Sequence, residues 1–202
     1  MVRVGIVALQ GGVSEHYYMV RRAGERIGLG VEPVLLKKPG DLRDIDAVII
    51  PGGESTTIGI VAKRTGLLDE LREAILGGLP VLSTCAGAII MAKKLAGTRG
   101  AQPILGVMDV EVHRNYFGRQ RESFEVDLNI DFLSGPPFRG VFIRAPAFTD
   151  FWGDARPAAA IEYNGRRVYV AAVERAMIAT SFHPELTGDT RIHEYLLSLA
   201  KK

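Results

Sequence analysis

The chain has 202 residues, and its 25 Lys and Arg residues nearly balance 23 Asp and Glu residues, which leaves a formal net charge of +2. Hydrophobic residues make up 47% of the chain, a proportion sufficient for a full core. The basic residues lie in scattered pairs, which gives no support to nucleic-acid binding. A single cysteine excludes an intrachain disulfide framework and suits a reducing compartment.

The sequence predicts neither a membrane span nor a targeting segment. No apolar run approaches the roughly 20 residues that a membrane span needs. The N-terminus begins with a strand pattern instead of a charged region followed by a cleavable apolar stretch. We find no internal repeat, linker or low-complexity segment, so we expect residues 1–202 to form a single cytoplasmic domain.

In the first half of the chain, apolar strand-like runs alternate with helical stretches. Strands are predicted over 2–9, 31–36, 47–50 and 81–84, and helices over 13–28, 56–62, 67–76 and 86–95. Buried strands that alternate with helices are typical of a parallel sheet covered on both faces. We therefore expect an α/β fold, a three-layer sandwich with a mostly parallel central sheet.

The second half is richer in short strands. The pattern predicts strands over 123–130, 141–144, 158–162, 167–173 and 176–182, followed by a closing helix over 190–200. Asn164-Gly165 is a hairpin turn signal between two of these strands. These segments are expected to be β-rich additions to the α/β sandwich.

Glycine-rich or small-residue turns follow several of the predicted strands. They are Gln10-Gly11-Gly12, Gly52-Gly53-Glu54-Ser55 and Cys85-Ala86-Gly87. The segment that ends at His183 would add a fourth, provided that its strand joins the same sheet. Open α/β sheets bind ligands outside the carboxyl ends of their strands, so these turns predict a functional site.

Cys85 lies where an apolar run ends and small residues open a helical pattern. A tight turn from strand to helix exposes a nucleophile, as in the related G-x-S-x-G motif. The N–H groups and the dipole at the start of a helix favour a thiolate there. The alternative is a buried structural cysteine, which is common, and only a neighbouring base decides between the two.

Four histidines compete for the role of base. His16 and His193 fall inside predicted helices, where we expect solvent-facing or capping roles. His113 lies in a strand-like stretch beside Arg114, whose positive charge would make it a poorer base. His183 follows a predicted strand and is the strongest candidate.

His183 and Glu185 suggest a pair with a shared task. Pro184 favours an extended conformation at His183, and extended side chains two residues apart point the same way. Glu185 could then hold the imidazole through its second nitrogen. The alternative is that both are loop residues without a catalytic role. Together with Cys85, the pattern predicts a nucleophile, a general base and acid at His183, and an orienting carboxylate at Glu185.

Attack on a carbonyl also needs donors for the developing oxyanion. Gly52 and Gly53 can bring bare backbone N–H groups close to a ligand. We predict the N–H groups of Gly53 and Ala86 as the oxyanion hole. The alternative is that Pro51-Gly52-Gly53 is only a turn and that the polar residues after it only cap a helix.

Six segments, in order, resemble the glutaminase subunit of pyridoxal 5'-phosphate synthase, a family of class I (triad) glutamine amidotransferases. The resemblance runs nearly end to end. The segments are Leu9-Gln10-Gly11, Pro51-Gly52-Gly53-Glu54-Ser55-Thr56-Thr57, Thr84-Cys85-Ala86-Gly87, Arg114-Asn115-Tyr116-Phe117-Gly118-Arg119-Gln120, Phe142-Ile143-Arg144-Ala145-Pro146 and Ser181-Phe182-His183-Pro184-Glu185-Leu186-Thr187.

The resemblance implies a flavodoxin-like fold and hydrolysis of L-glutamine to glutamate and ammonia through a γ-glutamyl thioester on Cys85. It implies delivery of the ammonia to a separate synthase subunit, a (β/α)8 barrel, in a hetero-oligomer. The family is activated when that subunit docks, and Gln10 and the first helix resemble the docking region. No cofactor, metal, nucleic acid or membrane is expected.

The resemblance also assigns the contacts with glutamine. By position these are Gly53, Glu54, Ser55, Arg114, Ile143 and Arg144. Arginine can pair a carboxylate bidentately, and a glutamate can meet the substrate ammonium. Without the resemblance, a surface salt-bridge role would be as good an interpretation of each arginine.

The sequence departs from the family pattern in two places. Ser83 stands two residues before the nucleophile, where glycine is usual, so the backbone dihedrals there can differ. Residues 150–175 match weakly, and no role is carried over to them. Three alternatives stay open: a glutaminase subunit of another synthase, a stand-alone cysteine hydrolase or peptidase, and a non-catalytic scaffold.

Overall fold

The computed structural model describes residues 1–97, 100–118 and 123–200. In chain order the elements are β1 (Val2–Val7), α1 (Val13–Arg26), β2 (Val31–Leu36), β3 (Ala47–Ile50), α2 (Ser55–Thr65), α3 (Leu67–Leu76), β4 (Val81–Thr84), α4 (Ala86–Met91), β5 (Ala92–Ala96), β6 (Met108–His113), β7 (Ser123–Leu128), β8 (Phe138–Ile143), β9 (Ala147–Phe151), β10 (Arg156–Tyr163), β11 (Arg166–Glu174), β12 (Met177–Thr180) and α5 (Arg191–Leu199). Among the described residues, no helix is long and apolar enough to cross a membrane.

The central sheet has the strand order β2-β1-β3-β4-β12-β11-β9-β6-β5, and β10 pairs with β11. The five neighbouring strands β2, β1, β3, β4 and β12 run parallel to one another, whereas β11 is antiparallel to β12 and to β9. The predicted α/β class, with a mostly parallel sheet and β-rich additions, is confirmed. Since β12 is parallel to β4, the chain leaves both strands at the same edge of the sheet.

Two hydrophobic layers enclose the parallel strands. Ala47 and Ile49 of β3 belong to the layer that contains α1 and α5, whereas Val48 and Ile50 belong to the layer that contains α2, α3 and α4. All four side chains are at most 1% exposed. Successive residues of a strand point to opposite faces, so an uninterrupted apolar strand requires helices on both sides.

The predicted helix over 86–95 is wrong in its second half. The helix α4 ends at Met91, and Ala92 turns to an extended conformation that opens β5. The carbonyl oxygens of Ile90 and Met91 accept hydrogen bonds from the N–H groups of Leu105 and Val107, at 2.8 and 2.9 Å. These distant partners replace the bonds of a further helical turn, so tertiary pairing overrides the local helical preference.

A two-stranded sheet of β7 and β8 covers one side of the molecule. Phe124 and Phe142 stack across it with ring centroids 4.6 Å apart, and Phe117 packs edge-on against Phe142 at 5.7 Å. Phe117 is 1% exposed. This aromatic cluster fixes the turn that contains Arg114 and the end of β8 that leads to Arg144, both of which bear on the site described below.

Gly87 shows how closely α4 packs on the sheet, and it gives a test. A Cβ at Gly87 would lie 2.2 Å from the carbonyl oxygen of Ile50, so the backbone would have to move. We expect Gly87→Ala to lower the free energy of unfolding by about 1–3 kcal/mol, because overpacking forces such shifts.

Gly188→Ala is the matched control, since a Cβ at Gly188 meets nothing within 4 Å. That substitution should change the free energy of unfolding by less than about 0.5 kcal/mol. Denaturant unfolding of both variants measures the difference. Equal stabilities of the two variants would contradict the close packing of α4.

Candidate active site

Cys85 occupies the turn between β4 and α4. It is not a glycine, yet its backbone has φ 48° and ψ −102°, a conformation that L-residues rarely adopt. The N–H of Cys85 donates to the carbonyl oxygen of Thr180 at 2.8 Å, which ties the turn to β12. The residue is 7% exposed, and its sulfur lies 3.8 Å from the carbonyl oxygen of Ile143. The turn therefore holds the thiol at the carboxyl edge of the sheet.

His183 lies beside this cysteine, with Gly52 against both. A Cβ at Gly52 would lie 2.5 Å from Cε1 of His183 and 3.3 Å from Cβ of Cys85. The N–H of His183 donates to the carbonyl oxygen of Val141 at 2.9 Å, so the residue is tied to β8 as well as to β12. Only glycine at position 52 leaves room for the imidazole and the cysteine to share one site.

Glu185 holds the other side of the imidazole. Its Oε1 lies 2.7 Å from Nδ1 of His183. The two residues meet because Pro184–Leu186 form a 3-10 turn, with His183 as the extended residue before it. The expected extended run from His183 to Glu185 is therefore wrong, and the contact arises because the turn folds the carboxylate back towards the ring.

Burial and charge act in opposite directions on this pair. Burial alone would lower the pKa of His183, but hydrogen bonding to Cys85 and Glu185 outweighs it and raises the pKa to about 10. Burial alone would raise the pKa of Glu185, but the proximity of His16 and the hydrogen bond and positive charge of His183 lower it to about 2. At neutral pH the ring is thus protonated and the carboxylate ionised, so Nδ1–H of His183 donates to Glu185.

A cavity of about 660 Å³ opens over the cysteine and the histidine. Every residue predicted from the resemblance as a substrate contact lines it, and Gln10 and Ala86 line it too. Glu185 does not, because it lies buried behind His183. The lining residues are Gln10, Gly53, Glu54, Ser55, Cys85, Ala86, Ile89, Arg114, Asn115, Gly118, Ile143, Arg144 and His183.

Opposite charges line the walls of the cavity. Nη1 of Arg144 lies 3.8 Å from Oε1 of Glu54, with both side chains more than one third exposed. Such a solvated pair contributes little stability, so both groups can bind a ligand instead. Nη1 of Arg114 donates to Oε1 of Gln102 at 2.7 Å. A small zwitterion, with one carboxylate and one ammonium, complements these walls.

The predicted oxyanion donors lie at two turns. Ala86 is the first residue of α4, so its N–H has no acceptor within the helix. Gly53 has φ +156°, and a Cβ there would lie 2.4 Å from Oε1 of Gln10. The N–H of the preceding Gly52 is occupied, since it donates to Oγ1 of Thr84 at 2.9 Å. Both predicted donors border the cavity that contains Cys85.

Gln10 has a second role that the sequence did not reveal. It is exposed, which suits the predicted interface, but its Oε1 also accepts a hydrogen bond from the N–H of Glu54 at 2.6 Å. Gln10 therefore connects the turn that follows β1 with the start of α2. A partner that contacts Gln10 would also touch the wall of the cavity.

Gln102 has a role that the sequence does not predict, and two histidines differ from their predicted roles. Gln102 accepts hydrogen bonds from Arg114 and from Oγ1 of Thr56, the latter at 3.0 Å, and nothing in its local sequence signals this bridge. The solvent-facing or capping roles predicted for His16 and His193 are wrong, because both are 0% exposed. Arg119 and Gln120 of the quoted segment lie outside the described residues.

Comparison with known proteins decides the family. A family model described as the SNO glutamine amidotransferase family matches residues 6–202. The chain belongs to this glutamine amidotransferase family. Its full-length relatives include the pyridoxal 5'-phosphate synthase subunit PdxT of Aeropyrum pernix, 59% identical over 100% of both chains. The subunit of the same name from Staphylothermus marinus is 53% identical over 97% of both.

Solved structures agree with this family. A crystal structure of a glutamine amidotransferase is 43% identical, covers 98% of both chains and superposes with a TM-score of 0.83. The PurLQS structure from Thermotoga maritima is 17% identical over 99% of both chains, with a TM-score of 0.73, which shows a shared fold alone. The family resemblance predicted from the sequence is confirmed.

The raised pKa of His183 predicts a pH dependence of stability. The pKa is 6.5 in a solvated histidine and about 10 here, so the folded protein holds this proton more tightly. The resulting stability is present below pH 6.5 and is lost as the pH rises towards 10. We expect the free energy of unfolding to fall over this window, and to fall less in His183→Gln.

The parent protein is the reference, and the slope of each protein is measured by denaturant unfolding at a series of pH values. A slope that is the same in His183→Gln and in the parent protein would contradict the proton assigned to His183.

Proposed function

We propose that this chain hydrolyses the side-chain amide of L-glutamine to glutamate and ammonia, as the glutaminase subunit of pyridoxal 5'-phosphate synthase. The single observation that carries the chemistry is the clustering of Cys85, His183 and Glu185 at one edge of the parallel sheet. The family and the full-length relatives named as subunits of that synthase support the biosynthetic role. They favour it over the peptidase, scaffold and other-synthase alternatives.

In the first half of the proposed reaction, Cys85 is the nucleophile. Its sulfur attacks the amide carbon as a thiolate, with the proton of the pair held on His183, and forms a C–S bond as the carbonyl oxygen becomes an oxyanion. The N–H groups of Gly53 and Ala86 are the proposed donors to that oxygen. His183 then gives its proton to the amide nitrogen, and the C–N bond breaks as the oxyanion becomes a carbonyl again. Ammonia departs, and a γ-glutamyl thioester remains on Cys85.

In the second half, water replaces ammonia at the same position. His183, now neutral, takes a proton from the water as its oxygen attacks the thioester carbon. The C–S bond breaks, glutamate is released, and the sulfur and the imidazole return to their starting states. Glu185 keeps its charge throughout and orients the ring, since its pKa of about 2 is far below neutrality.

Substrate choice follows from the charges around the cavity. We assign the carboxylate of glutamine to the arginines at positions 114 and 144 and its ammonium to Glu54. Ser55 and the exposed Ile143 are proposed to contact the rest of the substrate. A peptide would leave these charged groups without the free α-amino and α-carboxyl groups that they suit, which disfavours a peptidase.

The proposed assembly follows from the resemblance. We propose that the chain forms a hetero-oligomer with a (β/α)8-barrel synthase subunit and passes ammonia to it. Gln10 and the adjacent α1 are the proposed contact region. Because Gln10 also binds the N–H of Glu54, docking there would act directly on the turn that carries Gly53.

The nucleophile is tested by ammonia release from glutamine, measured with and without the synthase subunit. We expect weak activity alone and a rise when the partner is added. Cys85→Ala should lower kcat by about 10³-fold or more, because no other described group replaces the sulfur. Calorimetric binding of glutamine to this variant, with its partner, provides the control for correct folding. Ammonia release that persists in Cys85→Ala would refute the assignment.

The carboxylate site is tested at Arg114. Arg114→Ala should raise KM for glutamine by roughly 10- to 100-fold with a smaller effect on kcat, because it removes charge-assisted hydrogen bonds to the bound substrate. Arg139→Ala is a matched control, since Arg139 is an exposed arginine of β8 that pairs with Asp127 and does not line the cavity. Steady-state kinetics with equal KM in the two variants would contradict this role for Arg114.

A further inference from the structure

Behind the proposed triad lie two buried histidines that the reaction above does not use. His16 comes from α1 and His193 from α5, and both are 0% exposed. Nδ1 of His16 lies 3.0 Å from Nε2 of His193. On its other side, Nε2 of His16 lies 3.2 Å from Oγ1 of Thr84 and 3.4 Å from Oε2 of Glu185. The two rings thus form a line that ends at the orienting carboxylate.

Glu185 needs a donor on its inner side. Its Oε1 binds His183, but its Oε2 is buried and has no aligned hydrogen-bond partner among the described residues. The carboxylate oxygen and Nε2 of His16 are close enough to interact, although the N–H of the ring is better aligned with Thr84. A buried carboxylate oxygen is costly unless a donor faces it.

Counting protons fixes the direction of the donors. Nδ1 of His193 has no partner among the described residues, so a proton there would be a buried, unsatisfied donor. His193 is therefore protonated at Nε2 and donates to Nδ1 of His16. With Nδ1 accepting, neutral His16 carries its proton on Nε2, which faces Thr84 and Glu185. The opposite arrangement would turn a lone pair of His16 towards the carboxylate.

Both histidines are neutral at physiological pH. Burial lowers the pKa of His16, with Glu185 and Glu15 opposing this and the charge of His183 adding to it. Burial, with a smaller effect of His16 and an opposing one of Glu185, lowers the pKa of His193 to about 3. Oriented neutral donors stabilise Glu185 without adding a second cation that would compete with His183.

We propose that His16 and His193 are positioning residues. The Nε2–H of His193 fixes the tautomer of His16, and the Nε2–H of His16 in turn supports the carboxylate of Glu185. The inference rests on the proposed function, since it assumes that His183 and Glu185 act on Cys85. Neither histidine contacts the substrate cavity, so neither is a catalytic residue.

Hydrogen bonds also link His16 to the turn at Gly52, which lies beside Cys85 and His183. Oγ1 of Thr84 receives the hydrogen bond from His16 and also accepts one from the N–H of Gly52 at 2.9 Å. The carbonyl oxygen of Gly52 in turn accepts from the N–H of Gly12 at 3.1 Å, at the start of α1. A reversed tautomer at His16 would therefore disturb both the carboxylate and this turn.

The first test is nitrogen NMR of protein labelled with ¹⁵N-histidine, with resonances assigned by single substitutions. We expect His16 and His193 to be neutral and protonated at Nε2 from about pH 6 to 9, whereas His183 should be charged over most of this range. A proton on Nδ1 of His16, or a charged His16 at neutral pH, would overturn the inference. This measurement needs no activity and no variant at the positioning residues.

The second test compares two substitutions at His193. The side-chain amide nitrogen of His193→Gln can replace Nε2 as the donor, whereas His193→Leu removes the donor. In the complex with the synthase subunit, His193→Leu should lower kcat about tenfold or more with little change in KM. His193→Gln should stay within about threefold of the parent kcat.

Leu196→Val controls for lost packing, because Leu196 is a buried residue of the same helix, and its kcat should match the parent. If His193→Leu keeps full kcat, or if the two His193 variants lose kcat equally, the positioning role is wrong. If the parent protein releases no ammonia, or Cys85→Ala releases as much, the proposed function fails instead. Should His193→Leu not fold, the tautomers of the parent protein decide the inference.

Discussion

The fold and the chemistry both depend on one sharp turn of the backbone, where β4 ends and α4 begins. Cys85 adopts φ 48° and ψ −102° there, which costs of order 1–3 kcal/mol for a residue with a side chain. The surroundings enforce this conformation. The N–H of Cys85 is bound to β12, and the following helix packs so closely on β3 that Gly87 touches the backbone of Ile50. Strain stored in this way exposes a small side chain at the sheet edge.

The charged groups of the site are arranged around the carboxylate of Glu185. The carboxylate is buried, so its ionisation depends on donors, and these come from opposite sides. His183 faces it from the cavity with a positive charge, and neutral His16 faces it from the interior. The carboxylate thereby keeps a proton on His183 and fixes the direction of the ring. A positive charge on His16 would weaken the attraction of Glu185 for the proton on His183. Burial lowers the pKa of His16 and so keeps this ring neutral.

Much of this could be predicted from the sequence, because parallel strands deliver their following turns to one edge. The turns after β1, β3, β4 and β12 therefore revealed the place of the site, and the fold class followed from alternating apolar runs. The end of α4 could not be predicted, since its partners lie at Leu105 and Val107. The burial of His16 had a signal, because Val20 and Ala23 follow it at helical spacing on the buried face of α1. The polarity of histidine nevertheless favours a surface position in a prediction from the sequence.

The proposed role of the Cys85 sulfur as the nucleophile that attacks glutamine can be tested directly. A chloromethyl ketone analogue of glutamine, incubated with the chain and its synthase partner, tests it by mass spectrometry of the digested protein. We expect one label per chain, on the peptide that contains Cys85. The label should accumulate in step with the loss of ammonia release, and excess glutamine should slow it. A label that forms on another residue while activity is lost would contradict it.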